Sequence, residues 1–365
     1  MKYTAIGLMS GSSLDGLDIA ACTFEMDGDK VVGWALLQGE TQPFPEAWQE
    51  RLRRLPESDA RSLASAHSEL GRWMGQCVAD FMQRHALRPD LVASHGHTIF
   101  HFPAERFTTQ IGDGAAIAAA CGCPVVCDFR TGDMALGGQG APLAPLADRM
   151  LFPDYDVLLN VGGIANITCK LGSRYVACDV GGANQILNAL AQTLGLPYDD
   201  GGRLAASGQY IPALAEAMDA LPYFSWPPPK SLGNDWVQAH QTQAYLNWPA
   251  SVEDRLHTAC RQLARQTAGA IQRIFESEKQ SRPAYRMLAT GGGAYNTFLA
   301  NCIVEECTSL MGECVLELPD AGIVNYKEAV LMALMGVLRV LEIPNCIASA
   351  TGAERDAVGG AVYLG

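Results

Sequence analysis

Two strand–turn–strand patterns, one in each half of the chain, constrain the fold more than any other feature. The first consists of the apolar runs Tyr3–Met9 and Leu17–Phe24 on either side of a small, polar turn. The second consists of Asp156–Val161 and Ile164–Lys170 around Gly162-Gly163. A spacing of about 150 residues indicates two similar domains, because the repeats of a solenoid are only ~20–50 residues long.

The remaining periodicity predicts an α/β chain. Helical patterns such as Pro45–His85 and Arg255–Glu276 alternate with short apolar runs such as Val125–Phe129, which favours a mixed sheet with helices in each half. A chain of 365 residues is long enough for two cores. We predict domains at residues 1–148 and 149–365, with the last helix free to pack back on the first domain.

Composition excludes several classes of partner. The formal net charge of −13 argues against nucleic acid, which needs a basic surface. The longest apolar stretch, Ala329–Val340, is shorter than the ~20 residues of a membrane span and predicts a buried helix. The N-terminus has no sustained apolar core, and the 12 cysteines form no CxxC pair. We therefore expect a cytoplasmic protein with reduced thiols.

Four small or glycine-rich turns follow apolar strands. Glycine lets backbone N–H groups approach an anion that a side chain would block. None of these turns matches GxxxxGK[ST] or the GxGxxG of a first strand, so neither a P-loop enzyme nor a Rossmann dehydrogenase is expected. The four turns are Ser10–Ser13, Val161–Gly163, Gly181–Asn184 and Gly291–Ala294.

Carboxylates lie next to these turns. Asp15 and Asp18 follow the first turn, and Asp179 immediately precedes the third. An acid at a strand end beside a phosphate loop suits Mg²⁺ binding or general-base catalysis. Capping of a turn or helix is the alternative role for such an aspartate. For Asp179 we favour catalysis.

Three imidazoles raise a second hypothesis. On a strand, His95, His97 and His101 would share one face, and three such ligands can hold a catalytic zinc ion. The alternative is that these side chains form hydrogen bonds to a polar ligand such as a sugar. Nearby, Arg130 and Asp133 lie in the segment DFRTGD and predict either a ligand-facing loop or an ion pair.

The motifs together resemble one family. Their order along the chain is similar to that of the anhydro-N-acetylmuramic acid kinases, and the resemblance covers residue 5 to the C-terminus. The segments that carry it are GLMSGSSLDGLDIA, SHGHTIFHFP, TTQIGDGAAIA, DFRTGDMALGGQGAPLAP, LLNVGGIANIT, PPPKSLG, GGGAYNTFL, YKEAVLMALMG and the TGA that begins at Thr351.

The resemblance implies a fold and a reaction. The expected fold is that of acetate kinase, hexokinase, heat-shock-70 and actin, in which two ribonuclease-H-like domains flank an ATP cleft. The expected reaction phosphorylates O6 of 1,6-anhydro-N-acetylmuramic acid while water opens the anhydro ring. The products would be N-acetylmuramic acid 6-phosphate and ADP, in peptidoglycan recycling. ATP and Mg²⁺ are the implied cofactors, and a homodimer is the implied assembly.

The resemblance also implies roles for individual residues. Asp179 falls on the family's catalytic base, and Glu328 on an acid at the sugar site. The sugar-side blocks contain His95, Gly96, Thr98, Arg130 and Asp133. The nucleotide segments contain Gly11, Ser12, Ser13, Leu14, Asp15, Gly16, Leu17, Asp18, Gly162, Gly163, Gly291, Gly292 and Gly293.

Several positions depart from the family's pattern. The segment that begins at Asp179 has Val180 and Gly182 where the family has a polar residue and proline. His97 replaces the usual glutamine, and Leu232 replaces a threonine. The alternatives are therefore a kinase for a related sugar or cell-wall fragment, or an ATP-binding regulatory or chaperone-like protein.

Overall fold

The computed structural model describes residues 1–11, 14–172, 174–228, 230–280 and 282–365. The nucleotide-binding predictions for Ser12 and Ser13 lie outside these residues. Among the described residues there are twelve strands: β1 (Lys2–Ser10), β2 (Gly16–Asp27), β3 (Lys30–Pro43), β4 (Leu91–Phe102), β5 (Phe107–Ile111), β6 (Val125–Cys127), β7 (Val157–Val161), β8 (Ile164–Leu171), β9 (Arg174–Gly182), β10 (Ala284–Thr290), β11 (Glu313–Glu317) and β12 (Ala361–Tyr363).

Helices connect and cover these strands. In the part of the chain that the structure describes, the α-helices are α1 (Glu46–Arg54), α2 (Ala60–Arg84), α3 (Gly114–Cys121), α4 (Thr131–Ala135), α5 (Ala144–Leu151), α6 (Asn184–Gln192), α7 (Arg203–Ser207), α8 (Pro212–Asp219), α9 (Pro222–Ser225), α10 (Asn234–Val237), α11 (Gln243–Asn247), α12 (Val252–Ser277), α13 (Thr297–Met311), α14 (Ala321–Val340) and α15 (Ala348–Thr351). Shorter 3₁₀ turns are Leu55–Glu57, Pro103–Glu105, Asp200–Gly202 and Gly292–Tyr295, and Gln238–Thr242 is a π-helix.

The chain divides into two compact units. The first consists of Met1–Phe152 and Tyr326–Gly365, and the second of Pro153–Asn325. The sequence-based boundary after residue 148 falls inside α5, so the first unit extends to the end of that helix. The C-terminal residues, placed in the second domain from the sequence, belong to the first unit because α14 packs on its sheet.

Each unit contains the same sheet topology. In the first unit, β3, β2 and β1 are successively antiparallel, and β4 and β6 are added in parallel to β1. In the second unit, β9, β8 and β7 are antiparallel, followed by parallel β10 and β11. The five core strands have the same order in both units, β3-β2-β1-β4-β6 and β9-β8-β7-β10-β11. This order is ribonuclease-H-like, so the predicted repeat and fold class are confirmed. The first sheet also carries β5 beside β4 and β12 beside β6.

Apolar periodicity explains the packing within each unit. In α2, Leu70, Met74 and Val78 recur at four-residue spacing and are fully buried against the first sheet. In the second unit, Leu263 and Ile271 of α12 belong to the core that includes the strands β7 to β9. These two long helices cover their sheets because their apolar stripes match the 3.6-residue period.

Helix α14 approaches the first sheet unusually closely. A Cβ atom at Gly7 of β1 would lie 1.8 Å from the Ala329 carbonyl oxygen. A Cβ atom at Gly336 would lie 2.6 Å from the Ala93 Cβ atom of β4. By length and composition α14 is long and apolar enough to cross a membrane, but 61% of its apolar window is buried inside the protein. The predicted buried helix at Ala329–Val340 is confirmed.

Gly7→Ala tests this backbone contact. The added methyl group has no space against Ala329, so β1 and α14 must separate, at a cost of about 3 kcal/mol. Urea unfolding followed by circular dichroism should show a lower midpoint. Gly269→Ala in the middle of α12 is the control, since its nearest neighbour is the flexible Arg273 side chain and alanine favours helix by about 0.5–1 kcal/mol. Equal midpoints for wild type and Gly7→Ala would contradict the contact.

Candidate active site

The hairpin tip of the first unit presents backbone and carboxylate groups. The Leu14 N–H donates to the Gly11 carbonyl at 3.3 Å, and the Leu14 and Leu17 side chains are buried. Only the backbone of these two leucines can therefore face a ligand. A Cβ atom at Gly16 would lie 2.6 Å from the Gln42 carbonyl oxygen, so Gly16 is required by strand packing.

Asp18 is the partly buried carboxylate of this hairpin. The Thr41 hydroxyl donates to its Oδ1 atom at 2.6 Å across the β2–β3 ladder. Burial raises the pKa of Asp18; the hydrogen bond from Thr41 opposes this shift, and the charge of Asp15 adds to it. Asp15 itself is exposed at the tip.

A polar network joins the sugar-side residues predicted from the sequence. Arg130 Nε donates to His95 Nε2 at 2.9 Å, and Arg130 Nη1 donates to the Gly140 carbonyl at 2.6 Å. The Gly140 N–H donates to Asp133 Oδ2 at 2.8 Å, and the Thr351 hydroxyl donates to Asp133 Oδ1 at 2.6 Å. Asp133 is fully buried. Its carboxylate therefore fixes the Gly140 loop and the C-terminal Thr351 segment to one another.

His95 is held neutral by this network. Burial, followed by the neighbouring Arg130 charge, lowers the pKa of His95 to about 3. Because Nε2 accepts from Arg130, the proton lies on Nδ1, which donates to the Gly96 carbonyl at 3.0 Å. Among the residues that the structure describes, the Arg130 guanidinium donates to a neutral ring and a carbonyl and forms no ion pair with a carboxylate, which leaves its charge available for an anionic or hydroxyl-rich ligand.

The three imidazoles of the zinc hypothesis each have another partner. His97 Nδ1 lies 2.9 Å from the Ser10 hydroxyl, and His101 Nδ1 lies 3.1 Å from the Thr108 hydroxyl. Among the residues that the structure describes, no three His, Cys, Asp or Glu side chains are grouped so that they could hold a metal ion. The geometry therefore favours the hydrogen-bonding hypothesis for these residues.

The ribbon formed by β4 and β5 displays Thr98 to solvent. Gln110 Nε2 donates to the exposed Thr98 hydroxyl at 3.2 Å. Gly96 has φ +73°, and a Cβ atom there would lie 2.6 Å from the Ile111 carbonyl oxygen. Glycine is thus required at residue 96 by both conformation and space.

Glu328 joins Asp18 and Arg130 in the first unit. Its side chain is exposed, yet protein surrounds it closely enough that burial is the main factor raising its pKa. Asp18 raises this pKa further, whereas the charges of Arg130 and Lys327 lower it. The fold therefore brings Asp18 of β2, Arg130 before α4 and Glu328 of α14 into one electrostatic neighbourhood.

In the second unit, Asp179 is fixed by the segment that follows α8. Leu232 N–H donates to Asp179 Oδ2 at 2.7 Å, the Asp179 N–H donates to the Lys230 carbonyl at 3.0 Å, and the Tyr223 hydroxyl donates to the Asp179 carbonyl at 2.9 Å. Burial raises the pKa of Asp179, and the Leu232 hydrogen bond opposes this. Among the described residues, none forms a hydrogen bond to its Oδ1 atom.

Three of the predicted phosphate turns meet at the end of β7. The carbonyls of Gly162 and Gly163 accept from the N–H groups of residues 183–185 at the start of α6. Gly291 has φ +82°, and a Cβ atom there would lie 2.7 Å from the Val161 carbonyl oxygen. A Cβ atom at Gly163 would meet no atom of the described residues within 4 Å. The N–H groups of residues 183–185 are already satisfied.

A family model described as anhydro-N-acetylmuramic acid kinase matches residues 3–365. The chain belongs to this family. Proteins named anhydro-N-acetylmuramic acid kinase are similar to it: that of Rhodopseudomonas palustris is 39% identical over 84% of each chain, and that of Coxiella burnetii is 34% identical over 100% of this chain and 98% of its own. The predicted family and enzyme class, an ATP-dependent phosphotransferase, are thereby confirmed.

Solved structures give weaker likenesses. One is the (R)-2-hydroxyglutaryl-CoA dehydratase component A of Acidaminococcus fermentans, with 11% identity, 91% of this chain and 96% of that chain covered, and a TM-score of 0.42. Another is a ROK family glucokinase from Streptomyces griseus in complex with glucose and AMPPNP, with 12% identity, 91% and 98% covered, and a TM-score of 0.41. With both scores below 0.5, the family assignment rests on the sequence matches.

Some residues that shape the site of this family member are not among those predicted from the sequence. Tyr223, Gly140 and Thr351 hold Asp179, Arg130 and Asp133 in place, yet none was singled out as a site residue. Gly140 and Thr351 lie in the GGQGAP and TGA segments of the family resemblance, which could have indicated them. The contact from Tyr223, 44 residues from Asp179, has no signal in local spacing.

The His95 network predicts a pH-dependent stability. The pKa of His95 is lowered in the folded state, so its contribution is complete above pH about 6.5 and is lost as the pH falls toward 3. His95→Gln places a group there that does not titrate. The difference in urea midpoint between wild type and His95→Gln should therefore shrink as the pH is lowered from 7 to 4. A difference that stays constant with pH would contradict a buried, neutral His95.

Proposed function

We propose that the chain transfers the γ-phosphoryl group of ATP to O6 of 1,6-anhydro-N-acetylmuramic acid while water opens the anhydro bridge. Membership of the family supports this activity over the full length of the chain. The observation that carries the chemical assignment is the half-buried Asp179 carboxylate, with Oδ2 anchored and Oδ1 without a protein partner among the described residues.

Asp179 is proposed as the general base. Its raised pKa makes the carboxylate a better proton acceptor than an exposed aspartate, and a base within reach of water contributes about 10²–10⁴-fold to a rate. The Leu232 N–H holds Oδ2, so the carboxylate cannot rotate away. The free oxygen, Oδ1, is then the atom that accepts the proton from the attacking water.

In the proposed reaction each bond that forms is matched by a bond that breaks. Water oxygen bonds to the anomeric carbon as its proton moves to Asp179 Oδ1. The bond between the anomeric carbon and O6 breaks, and its electron pair remains on O6. O6 then bonds to the γ-phosphorus as the bond to the bridging oxygen breaks and ADP leaves. The products are N-acetylmuramic acid 6-phosphate, ADP and one proton.

Phosphate contacts are assigned to the glycine segments of both units. In the first unit these are the backbone of Gly11, Leu14, Gly16 and Leu17; in the second they are Gly162, Gly163 and Gly291–Gly293. Mg²⁺ is usually bound through substrate phosphates and one or two carboxylates, which fits the exposed Asp15 at the tip. When bound, Mg²⁺ supplies charge neutralisation on the phosphoryl oxygens.

The sugar is assigned to the polar network of the first unit. Arg130, oriented by His95 and Gly140, is proposed to donate to the sugar, with Thr98 and Gly96 on the neighbouring ribbon. Glu328 is proposed to orient water or a sugar hydroxyl. Since both oxygens of buried Asp133 are occupied by Gly140 and Thr351, we assign Asp133 the role of holding the Arg130 loop.

The cellular setting belongs to the same proposal. A kinase for an anhydro amino sugar would act on soluble fragments in peptidoglycan recycling, inside the cytoplasm and with Mg²⁺. Val180, Gly182 and Leu232 depart from the family's pattern around Asp179, and these positions favour a related cell-wall sugar as the second candidate substrate.

ADP release with and without 1,6-anhydro-N-acetylmuramic acid tests the proposal. Wild type with ATP and Mg²⁺ should release ADP only with the sugar, and the product should be heavier than the sugar by one phosphoryl group (HPO₃) and one water. Asp179→Asn should lower turnover by at least about 10²-fold, since the base is lost, with ATP affinity within about twofold of wild type.

Asp200→Asn is the matched control, because Asp200 is an exposed aspartate of the same unit whose side chain, within the part of the chain that the structure describes, pairs with Arg203 alone. It should leave turnover unchanged. Undiminished turnover in Asp179→Asn would refute the base assignment. Measurable ATP binding without sugar-stimulated ADP release would redirect the search to related sugars.

A further inference from the structure

A buried ion pair lies next to Glu328. Lys327 Nζ is 2.8 Å from Asp148 Oδ1, and the two side chains are 16% and 3% exposed. At this distance the two opposite charges attract each other directly. Because desolvation offsets much of the attraction in such a pair, stability is a weak reason for its presence.

Asp148 is itself firmly placed. It lies in α5, and the Trp34 indole N–H of β3 donates to the Leu151 carbonyl at the end of that helix, at 3.1 Å. The Trp34 and Phe152 rings meet edge-on at 5.6 Å, and Lys327 Nζ lies 5.5 Å from the centre of the Phe152 ring. The ion pair therefore joins α14 to a helix that is anchored on the sheet.

The residues that flank Lys327 and Glu328 are also fixed. A Cβ atom at Gly39 would lie 2.2 Å from the Tyr326 ring, and one at Gly7 would lie 1.8 Å from the Ala329 carbonyl oxygen. These contacts set how far α14 stands from the sheet. They lie on the sheet-facing side of the helix, whereas Lys327 reaches a different element, α5, and so restrains rotation about the helix axis.

We propose that Lys327, held by Asp148, is a positioning residue for Glu328, whose carboxyl it keeps directed toward Asp18 and Arg130. This inference rests on the proposed function, in which Glu328 acts at the sugar. The ion pair fixes the turn of α14 that carries Glu328. This matters for catalysis because a displacement of about 1 Å at a reacting group can lower the rate on the order of 10²-fold.

The pair has a second effect, through charge. The groups that face Glu328 are Asp18 of β2, Arg130 before α4 and Lys327 of its own helix. Removal of the Lys327 charge should raise the pKa of Glu328. Removal of the Asp148 charge should lower it, because the Lys327 charge is then less compensated. Simple loosening of the helix would instead hydrate Glu328 and lower its pKa in both cases.

The test is a carboxyl titration of Glu328 in the full chain. Protein is labelled with glutamate carrying ¹³C at Cδ, and Glu328→Gln identifies the resonance. Lys327→Met and the apolar pair Asp148→Leu/Lys327→Met should both raise the pKa of Glu328, and Asp148→Asn should lower it. The apolar pair guards against misfolding, since such replacements of buried ion pairs are often neutral or stabilising.

Kinetics provide the second readout. With anhydro sugar and ATP, all three variants should lose about tenfold in kcat/KM for the sugar, with KM for ATP within about twofold. The pH profile of kcat/KM should move in the same direction as the pKa of Glu328 in each variant. Asp156→Asn is the control: it breaks the ion pair of Asp156 with Arg282 in the second unit and should leave both the titration and the profile unchanged.

An unchanged or lowered pKa of Glu328 in Lys327→Met and in the apolar pair would overturn the inference, as would the same shift in Asp156→Asn. The proposed function is tested independently of this inference. A wild-type protein that releases no ADP with any sugar would refute the proposed function, whereas the titration would still show whether the ion pair controls the pKa of Glu328.

Discussion

The contact of α14 with β1 at Gly7 is the constraint on which the first unit depends. The chain leaves this unit after Phe152 and returns at Tyr326, so the returning helix must find its place on a sheet formed largely by the first 130 residues. Backbone meets backbone at Ala329 because Gly7 has no side chain. That contact places Glu328, one residue earlier, near Asp18 and Arg130, and the Lys327–Asp148 pair restrains its direction.

The two proposed catalytic carboxylates belong to different units but share one physical property. Burial is the main factor that raises the pKa of both Asp179 and Glu328. In each case a local interaction opposes this rise in pKa. For Asp179 it is a hydrogen bond from a backbone N–H, and for Glu328 it is the charges of Arg130 and Lys327. Carboxylates whose pKa is raised by burial are typical of functional sites, because a raised pKa makes the carboxylate a better proton acceptor.

The sequence predicted the elements that depend on local chemistry. Alternating apolar runs and glycine tips revealed both hairpins, and the motif order revealed the family. The pairing of residues in distant segments could not be predicted, even where a motif marked one of them: Tyr223 with Asp179, Thr351 with Asp133, and Lys327 with Asp148. Asp133 illustrates the limit, because an acid in a ligand-like motif is in fact fully buried and occupied by its own loop. Only the tertiary structure distinguishes a side chain that can contact the ligand from a side chain that holds such a residue in place.

In the proposed reaction one enzyme couples ring opening by water to phosphorylation of O6, and labelling with solvent oxygen distinguishes this coupling from hydrolysis of ATP. Turnover of ATP and 1,6-anhydro-N-acetylmuramic acid in H₂¹⁸O, stopped within minutes, should give a product with one ¹⁸O on the anomeric carbon and none in its phosphate. Unlabelled N-acetylmuramic acid 6-phosphate incubated for the same time measures background exchange. An ¹⁸O label in inorganic phosphate, with the sugar unlabelled beyond background, would mean that water attacks ATP rather than the sugar and would contradict the account.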